Sequence, residues 1–311
     1  MAKLALAIHG GAGTILRSQM TPALEAEYRQ GLETALKAGW SILESGGSSL
    51  DAVEAAVVSL EDFPLFNAGR GSVFTHEGEQ EMDASIMDGK SLKAGCVAFV
   101  KNIKNPVRLA RLVMERTEHV LLAGEGANQF AEQLGVETAP DEYFFTEHRW
   151  LQLQEAIAEG RVQLDHAVAK PIGTVGGVAC DKNGNLAAAT STGGITNKKF
   201  GRVGDTAIIG AGNYADETVA VSCTGHGEYF MLGVTAFDVA ARMKYKGLNL
   251  EDAARETIVH LTAINGEGGL IAVDRSGNVT LPFNSDGMYR GFVTTDSPIS
   301  SEIYGTSDSR S

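Results

Sequence analysis

The order of strand-like and helix-like runs limits this fold more than any other feature of the chain. Short β-type runs come in groups, followed by helices and then further β-type runs, with few strict strand–helix–strand alternations. A doubly wound parallel sheet requires that alternation, so antiparallel sheets faced by helices on their outer sides are expected. Glycine marks the joints. The chain has 37 glycines, gathered at 10–13, 69–71, 173–177, 193–194, 201–204, 210–212, 225–227 and 266–269, where β-rich runs turn. That distribution fits backbone approaching backbone or ligand at many places.

Leu4 to Ile8 reads as a buried strand stopping at His9-Gly10-Gly11-Ala12-Gly13. Leu32, Ala35, Leu36, Trp40 and Leu43 fall at helical spacing over 22–45, and Ser48 or Ser49 caps a second helix over 50–61. Strands are expected at 72–75, 81–87 and 93–101, and helices at 106–116 and 125–134. The stretch 136–173 differs in texture: a polar helix from Glu142 to Ala158 runs into residues with no clear period, and the whole reads as an exposed, mobile linker. Beyond Gly173 come β-runs at 174–180, 186–191, 206–211 and 219–223, helices at 226–246 and 250–263, and two last strands at 269–274 and 278–282. Asp181 with Gly184 and Asp274 with Gly277 supply matching hairpin turns.

Several function classes drop out. A net charge of −13 argues against a nucleic-acid surface, and a carboxylate substrate would need a specific cation in its pocket. No run of about 18 apolar residues is present, so no membrane span is expected, and the N-terminal apolar run is too short for a signal segment. The three cysteines lack metal or disulfide spacing and fit reduced, buried residues of a cytoplasmic protein. Gly210-Ala-Gly212-Asn-Tyr-Ala215 matches a dinucleotide fingerprint, but strand-like Thr218–Cys223 follows where a helix is needed, so no organic cofactor is expected. His226-Gly-Glu228 lacks the partner cysteines of a zinc deaminase.

One bond stands apart. Ile172-Gly173-Thr174-Val175-Gly176 carries the change from linker to strand. A threonine opening a strand is ordinary by itself. If 174–180 and 186–192 pair as a hairpin, however, Thr190-Ser191-Thr192-Gly193-Gly194 returns beside Thr174. Ser222-Cys223-Thr224-Gly225 ends another strand at a glycine-rich turn, where a hydroxyl and a backbone N–H can point the same way. A threonine hydroxyl is a weak nucleophile, but at a chain N-terminus its own α-amine is an adjacent base. That amine's reference pKa of about 7.7–8.0 lies near neutrality. A free amine at 174 demands cleavage of the Gly173–Thr174 bond, and a glycine before it leaves no Cβ in the way.

These residues resemble the plant-type L-asparaginases, or isoaspartyl peptidases, of the N-terminal nucleophile hydrolases. The likeness spans nearly the whole chain: Ile8-His-Gly-Gly-Ala-Gly13, Pro64-Leu-Phe-Asn-Ala-Gly69, Met82-Asp-Ala-Ser-Ile-Met-Asp88, Gly173-Thr-Val-Gly176, Ala189-Thr-Ser-Thr-Gly-Gly194, Gly201-Arg-Val-Gly-Asp205 and Cys223-Thr-Gly-His-Gly-Glu228. The resemblance implies an α/β (α+β) fold, a four-layer αββα sandwich formed as one domain over 1–311. It implies autocleavage into an α subunit (1–173) and a β subunit (174–311) in an (αβ)2 assembly. The implied substrates are small molecules, L-asparagine and β-aspartyl dipeptides. By the matching motifs, Thr174 is the nucleophile, Thr192 hydrogen-bonds near it, and Thr224 with Gly225 N–H forms the oxyanion hole. Arg202 clamps the substrate carboxylate, Asp205 and Gly227 hold its amine, and Asn67 positions catalytic groups or water. A structural Na+ or K+ is implied on the backbone carbonyls of Leu60, Glu61, Phe63, Phe66, Ala68 and Arg70.

Some alternatives stay open at this level. Arg202 and Asp205 also read as an i,i+3 surface pair, Asn67 as a turn residue, and His226 as either a substrate contact or a helix N-terminal residue. Two rival functions are a glycosylasparaginase with the same nucleophile and an uncleaved relative that only binds amino acids.

Overall fold

The computed structural model describes residues 3–160 and 173–305. β1 (Ala5–Gly13) runs through the glycine cluster expected to stop it. Gly11 lies at φ +121°, and the register shifts between His9 and Gly11, so the strand bends there instead of ending. α1 (Pro22–Glu44) and α2 (Ser49–Glu61) follow, capped by Thr21 and Ser48, whose side chains accept from Leu24 N and Asp51 N. β2 (Met82–Asp88) and β3 (Lys93–Val100) form a hairpin, then α3 (Pro106–Arg116), β4 (Leu121–Ala123) and α4 (Gly124–Gln133). Two short helices, α5 (Asp141–Phe144) and α6 (Glu147–Ala158), complete the first half.

The second half opens with the hairpin of β5 (Val175–Cys180) and β6 (Leu186–Thr192). Asp181 Oδ1 closes its turn by accepting from Asn183 N and Asn185 N; Asp274 repeats the device with Ser276 N and Asn278 N. Then come β7 (Asn213–Ala215), β8 (Val219–Gly225), α7 (Gly227–Gly233), α8 (Thr235–Lys246) and α9 (Leu250–Ala263). β9 (Gly268–Asp274), β10 (Val279–Thr280), β11 (Gly287–Thr294) and β12 (Ser297–Glu302) end the described chain.

Among the described residues the strands make two sheets, one of order β12-β11-β1-β5-β6-β2-β3-β4 and one of order β10-β9-β8-β7. Side-chain alternation sorts residues into layers. Leu6 and Ile8 of β1 join Leu32, Leu36, Val53 and Val57 of α1 and α2. Ala5 and Ala7 point the other way, into a layer with Val178, Ala188, Ile271 and Val273 between the sheets. Val219, Val221 and Cys223 of β8 face Val239, Ala254 and Ile258 of α8 and α9. Helices, two sheets and helices again make an αββα sandwich. No helix among the described residues is long and apolar enough to cross a membrane.

The structure departs from the sequence expectation in several places. Residues 72–75 form no strand and contribute a bridge from Thr75 to Lys198, while 206–211 begins with a 3-10 turn at Asp205–Ala207. The helix expected over 226–246 breaks at Val234, which lies at φ +47°. The strands at 269–274 and 278–282 are not the last, since β11 and β12 follow and extend the larger sheet beside β1. Much of the expected linker is also packed: Phe144, Arg149 and Leu153 are buried, and Arg149 Nε donates to Gly71 O at 2.9 Å. An edge-on cluster of Phe74, Phe145 and Trp150 anchors that segment, which polarity alone conceals. The remainder of the linker expectation, 161–172, lies outside the described residues.

Candidate active site

Strand periodicity brings the threonines together. Even-numbered residues of β5 and β6 point between the sheets, as Val178 and Ala188 do, so Thr190 and Thr192 share that face. Even-numbered residues of β8, Ser222 and Thr224, face them from the second sheet, while Val221 and Cys223 turn to the helices. Thr174 stands one residue before β5, is 8% exposed, and donates its hydroxyl to Thr192 Oγ1 at 3.2 Å. Thr192 Oγ1 also accepts from Gly194 N at 3.0 Å, so it is already oriented.

Gly173 fits a space that no other residue can occupy, because an added Cβ would overlap the Gly10 carbonyl oxygen and lie 2.7 Å from Gly11 Cα. The bond before Thr174 is thereby wedged against β1. Asn67 holds the opposite side. Its Nδ2 donates to Gly194 O at 2.7 Å, its Oδ1 accepts from Val73 N at 3.0 Å, and its carbonyl accepts from Gly193 N at 3.1 Å. Fully buried, Asn67 is a clamp on the Thr192–Gly194 turn and more than a turn former.

Arg202, Asp205 and Gly227 lie together. A Cβ on Gly227 would lie 2.8 Å from both Arg202 Nη2 and Asp205 Oδ1, so the glycine leaves open the corner where cation and anion meet. The pair is not an exposed surface bridge, since Asp205 is 4% exposed. Burial pushes its carboxyl up to about 7 despite the neighbouring Arg202, and its Oδ2 has no hydrogen-bond partner. That oxygen faces Gly212, whereas Oδ1 is the atom at the Gly227 corner. Arg202 meets a partner that sequence reasoning passed over: Glu228, in the first turn of α7, accepts from Nε and Nη2. Burial opposes ionisation of Glu228, yet those bonds hold its carboxyl below the ordinary range.

Thr224 Oγ1 accepts from Ala12 N at 3.2 Å, which ties the end of β8 to β1. Gly225 follows at φ +147°, and a Cβ there would overlap Glu267 O. His226 caps α7, sits edge-on to Tyr229, and places Nε2 3.5 Å from Glu228 Oε2. Its surroundings are those of a helix N-terminal residue. Gly210–Ala215 leads into β7 with no helix after it, so it is no dinucleotide loop.

One further group, His9, escaped the sequence reading. His9 Nδ1 lies 2.9 Å from Thr174 O, and its Nε2 lies 2.8 Å from Ser222 Oγ. Both partners are remote in sequence, and the only local signal was the glycine cluster after His9. Among the described residues no cluster of His, Cys, Asp or Glu could hold a metal ion. The Leu60–Arg70 loop offers neutral donors instead. It folds back so that Arg70 N donates to Glu61 O, while a Cβ on Gly71 would lie 2.8 Å from Phe66 O. Backbone carbonyls are neutral oxygen donors, the kind of ligand that a hard cation takes.

A family model described as asparaginase matches residues 2–301. The chain is 53% identical over 299 residues to the isoaspartyl peptidase of Salmonella typhimurium, an alignment covering 94% of this chain and 96% of that protein. Identity to the isoaspartyl peptidase of Escherichia coli is 52% over 299 residues, covering 94% and 93%. The isoaspartyl peptidase/L-asparaginase of Xenopus laevis is 45% identical over 296 residues, covering 94% and 93%.

Proposed function

The chain belongs to the asparaginase family, and we propose that it hydrolyses β-aspartyl (isoaspartyl) dipeptides and the side-chain amide of L-asparagine after cutting itself between Gly173 and Thr174. The observation that carries this reading is the Thr174–Thr192 hydroxyl contact beside a wedged glycine. In the precursor, Thr174 Oγ attacks the Gly173 carbonyl carbon, and the peptide C–N bond breaks as the acyl group passes to oxygen. That break frees the Thr174 amine, and water then opens the ester, releasing the Gly173 carboxylate and restoring the Thr174 hydroxyl.

In the mature enzyme that amine takes the Oγ proton as the hydroxyl attacks the side-chain carbonyl of the substrate. Thr224 Oγ and Gly225 N–H receive the negative charge on oxygen. Ammonia or an amino acid leaves with a proton, and water releases aspartate from the β-aspartyl ester. Arg202 offers a planar fork to the substrate carboxylate, while Asp205, with Gly227, accepts from the ammonium. A Na+ or K+ on the carbonyls of Leu60, Glu61, Phe63, Phe66, Ala68 and Arg70 would stiffen the loop that carries Asn67. The mature enzyme in this reading is an (αβ)2 assembly working in the cytoplasm.

A denaturing gel of aged protein, with N-terminal sequencing of the smaller fragment, is the test. A fragment beginning at Thr174, with ammonia released from L-asparagine and aspartate from β-aspartyl dipeptides, is expected. A single intact chain that still turns over substrate would defeat the proposal.

A further inference from the structure

Behind Thr174, four side chains form a line of hydrogen bonds that the chemistry above does not use. His9 Nδ1 is 2.9 Å from the Thr174 carbonyl oxygen, and His9 Nε2 is 2.8 Å from Ser222 Oγ. Ser222 Oγ is 2.7 Å from Thr190 Oγ1, which accepts from Asn213 Nδ2 at 3.0 Å. His9, Ser222, Thr190 and Asn213 are all fully buried.

The direction of each bond follows from its ends. A carbonyl oxygen only accepts, so His9 Nδ1 carries a proton. Burial lowers the imidazole pKa to about 3, against the raising effect of the Thr174 bond, so the ring is neutral and Nε2 accepts. Ser222 therefore gives its proton to His9 and receives that of Thr190. Thr190 also stands 3.3 Å from Gly212 O, a longer contact that competes for the same proton.

Thr174 needs an anchor of this kind. Ladder pairing begins only at Val175 with β6 and at Gly176 with β1, so the residue lies just ahead of the sheet. Its carbonyl is held by a side chain. Gly176 opens the passage between the sheets, since a Cβ there would overlap Ser222 Oγ and lie 2.5 Å from His9 Nε2. The His9–Ser222 bond thus crosses from β1 in one sheet to β8 in the other directly beneath the nucleophile.

We propose that His9 is a positioning residue: its Nδ1–H, set by the Ser222–Thr190–Asn213 line, fixes the Thr174 carbonyl and so aims the hydroxyl and nitrogen of that residue. This role rests on Thr174 being the nucleophile.

Two variants divide the ring's duties. His9→Asn keeps an N–H near the δ position and loses Ser222, whereas His9→Gln reaches Ser222 and loses the donor to Thr174. The kcat of His9→Gln should lie about tenfold below that of His9→Asn, with similar KM in both because Arg202 and Asp205 are untouched. Equal kcat values, or the reverse order, overturn the proposal. Nitrogen-15 NMR of labelled wild-type histidine gives a reading that no folding defect can mask. His9 should show a protonated Nδ1 and an unprotonated Nε2 from about pH 5 upward, and a proton on Nε2 overturns the role. A smaller fragment beginning elsewhere than Thr174 defeats the nucleophile assignment and this role with it. A correct fragment with the wrong His9 tautomer defeats the role alone.

Discussion

Arg202 holds Glu228 with two parallel hydrogen bonds, Nε to Oε1 and Nη2 to Oε2, both 2.9 Å. That is the bidentate geometry in which a guanidinium recognises a carboxylate. If Arg202 holds the substrate carboxylate as proposed, Glu228 is both the brace that aims the fork and a rival for it.

Arg202→Lys should keep the charge and lose the fork. Loss of one charge-assisted hydrogen bond, about 1.5–3 kcal/mol, lowers kcat/KM roughly 10- to 100-fold, mostly through KM. Steady-state kinetics on L-asparagine read this directly, and an unchanged KM would remove Arg202 from the substrate.

Acid should weaken binding before it unfolds the protein. Asp205 must be ionised to hold an ammonium, and burial pushes its carboxyl up to about 7. As pH falls through that value the carboxylate is lost and KM rises. Protonation of the Thr174 amine acts in the same direction but shows in kcat, so the two limbs separate when both constants are followed from about pH 8.5 to 5.5. A KM flat across that range contradicts the assignment.

Thr224→Val keeps the shape of the side chain and removes its hydroxyl. An oxyanion donor is worth about 2.7–4 kcal/mol, so kcat should drop roughly 100- to 1000-fold with KM little changed. Circular dichroism checks that the tie to Ala12 N was not essential to the fold. A loss confined to KM would place Thr224 outside the oxyanion site.

Glu61 gives a prediction about stability. Burial raises its carboxyl to about 8, against the lowering effect of Ser191 and of Val107 N, both of which donate to Oε1. The folded-state value exceeds the unfolded one, so its stabilisation is complete below the unfolded pKa of 4.5 and erodes as pH rises toward 8. The slope is about 1.4 kcal/mol per pH unit. Glu61→Gln should therefore show a flatter Tm between pH 5 and 8 than the wild type, measured by thermal melts. Parallel curves would mean that Glu61 ionises freely.

Local chemistry was the legible part of this chain. Asp181 and Gly184 announce the β5–β6 hairpin, and the hairpin alone brings Thr192 back to Thr174. Ser48 announces a helix start because a cap acts within three residues. What stayed hidden depends on distant partners. β11 pairs with β1 across almost the whole chain, and β12, Ser297–Glu302, has too few apolar residues to read as a strand. Val234 breaks a helix at φ +47°, and a single preceding glycine, Gly233, is too weak a signal to mark it. His9 and Glu228 became visible only when the other sheet and the Arg202 turn stood beside them.

The strand order has a mechanical consequence for a chain cut after Gly173. β5 and β6 lie between β1 and β2, and β11 flanks β1 on its other side, so strands from before and after the cut are shuffled within one sheet. The halves would be woven together like interlaced fingers. Neither could leave without tearing the ladder on both sides of β1, so severing the backbone would release a reactive end and no piece of the protein.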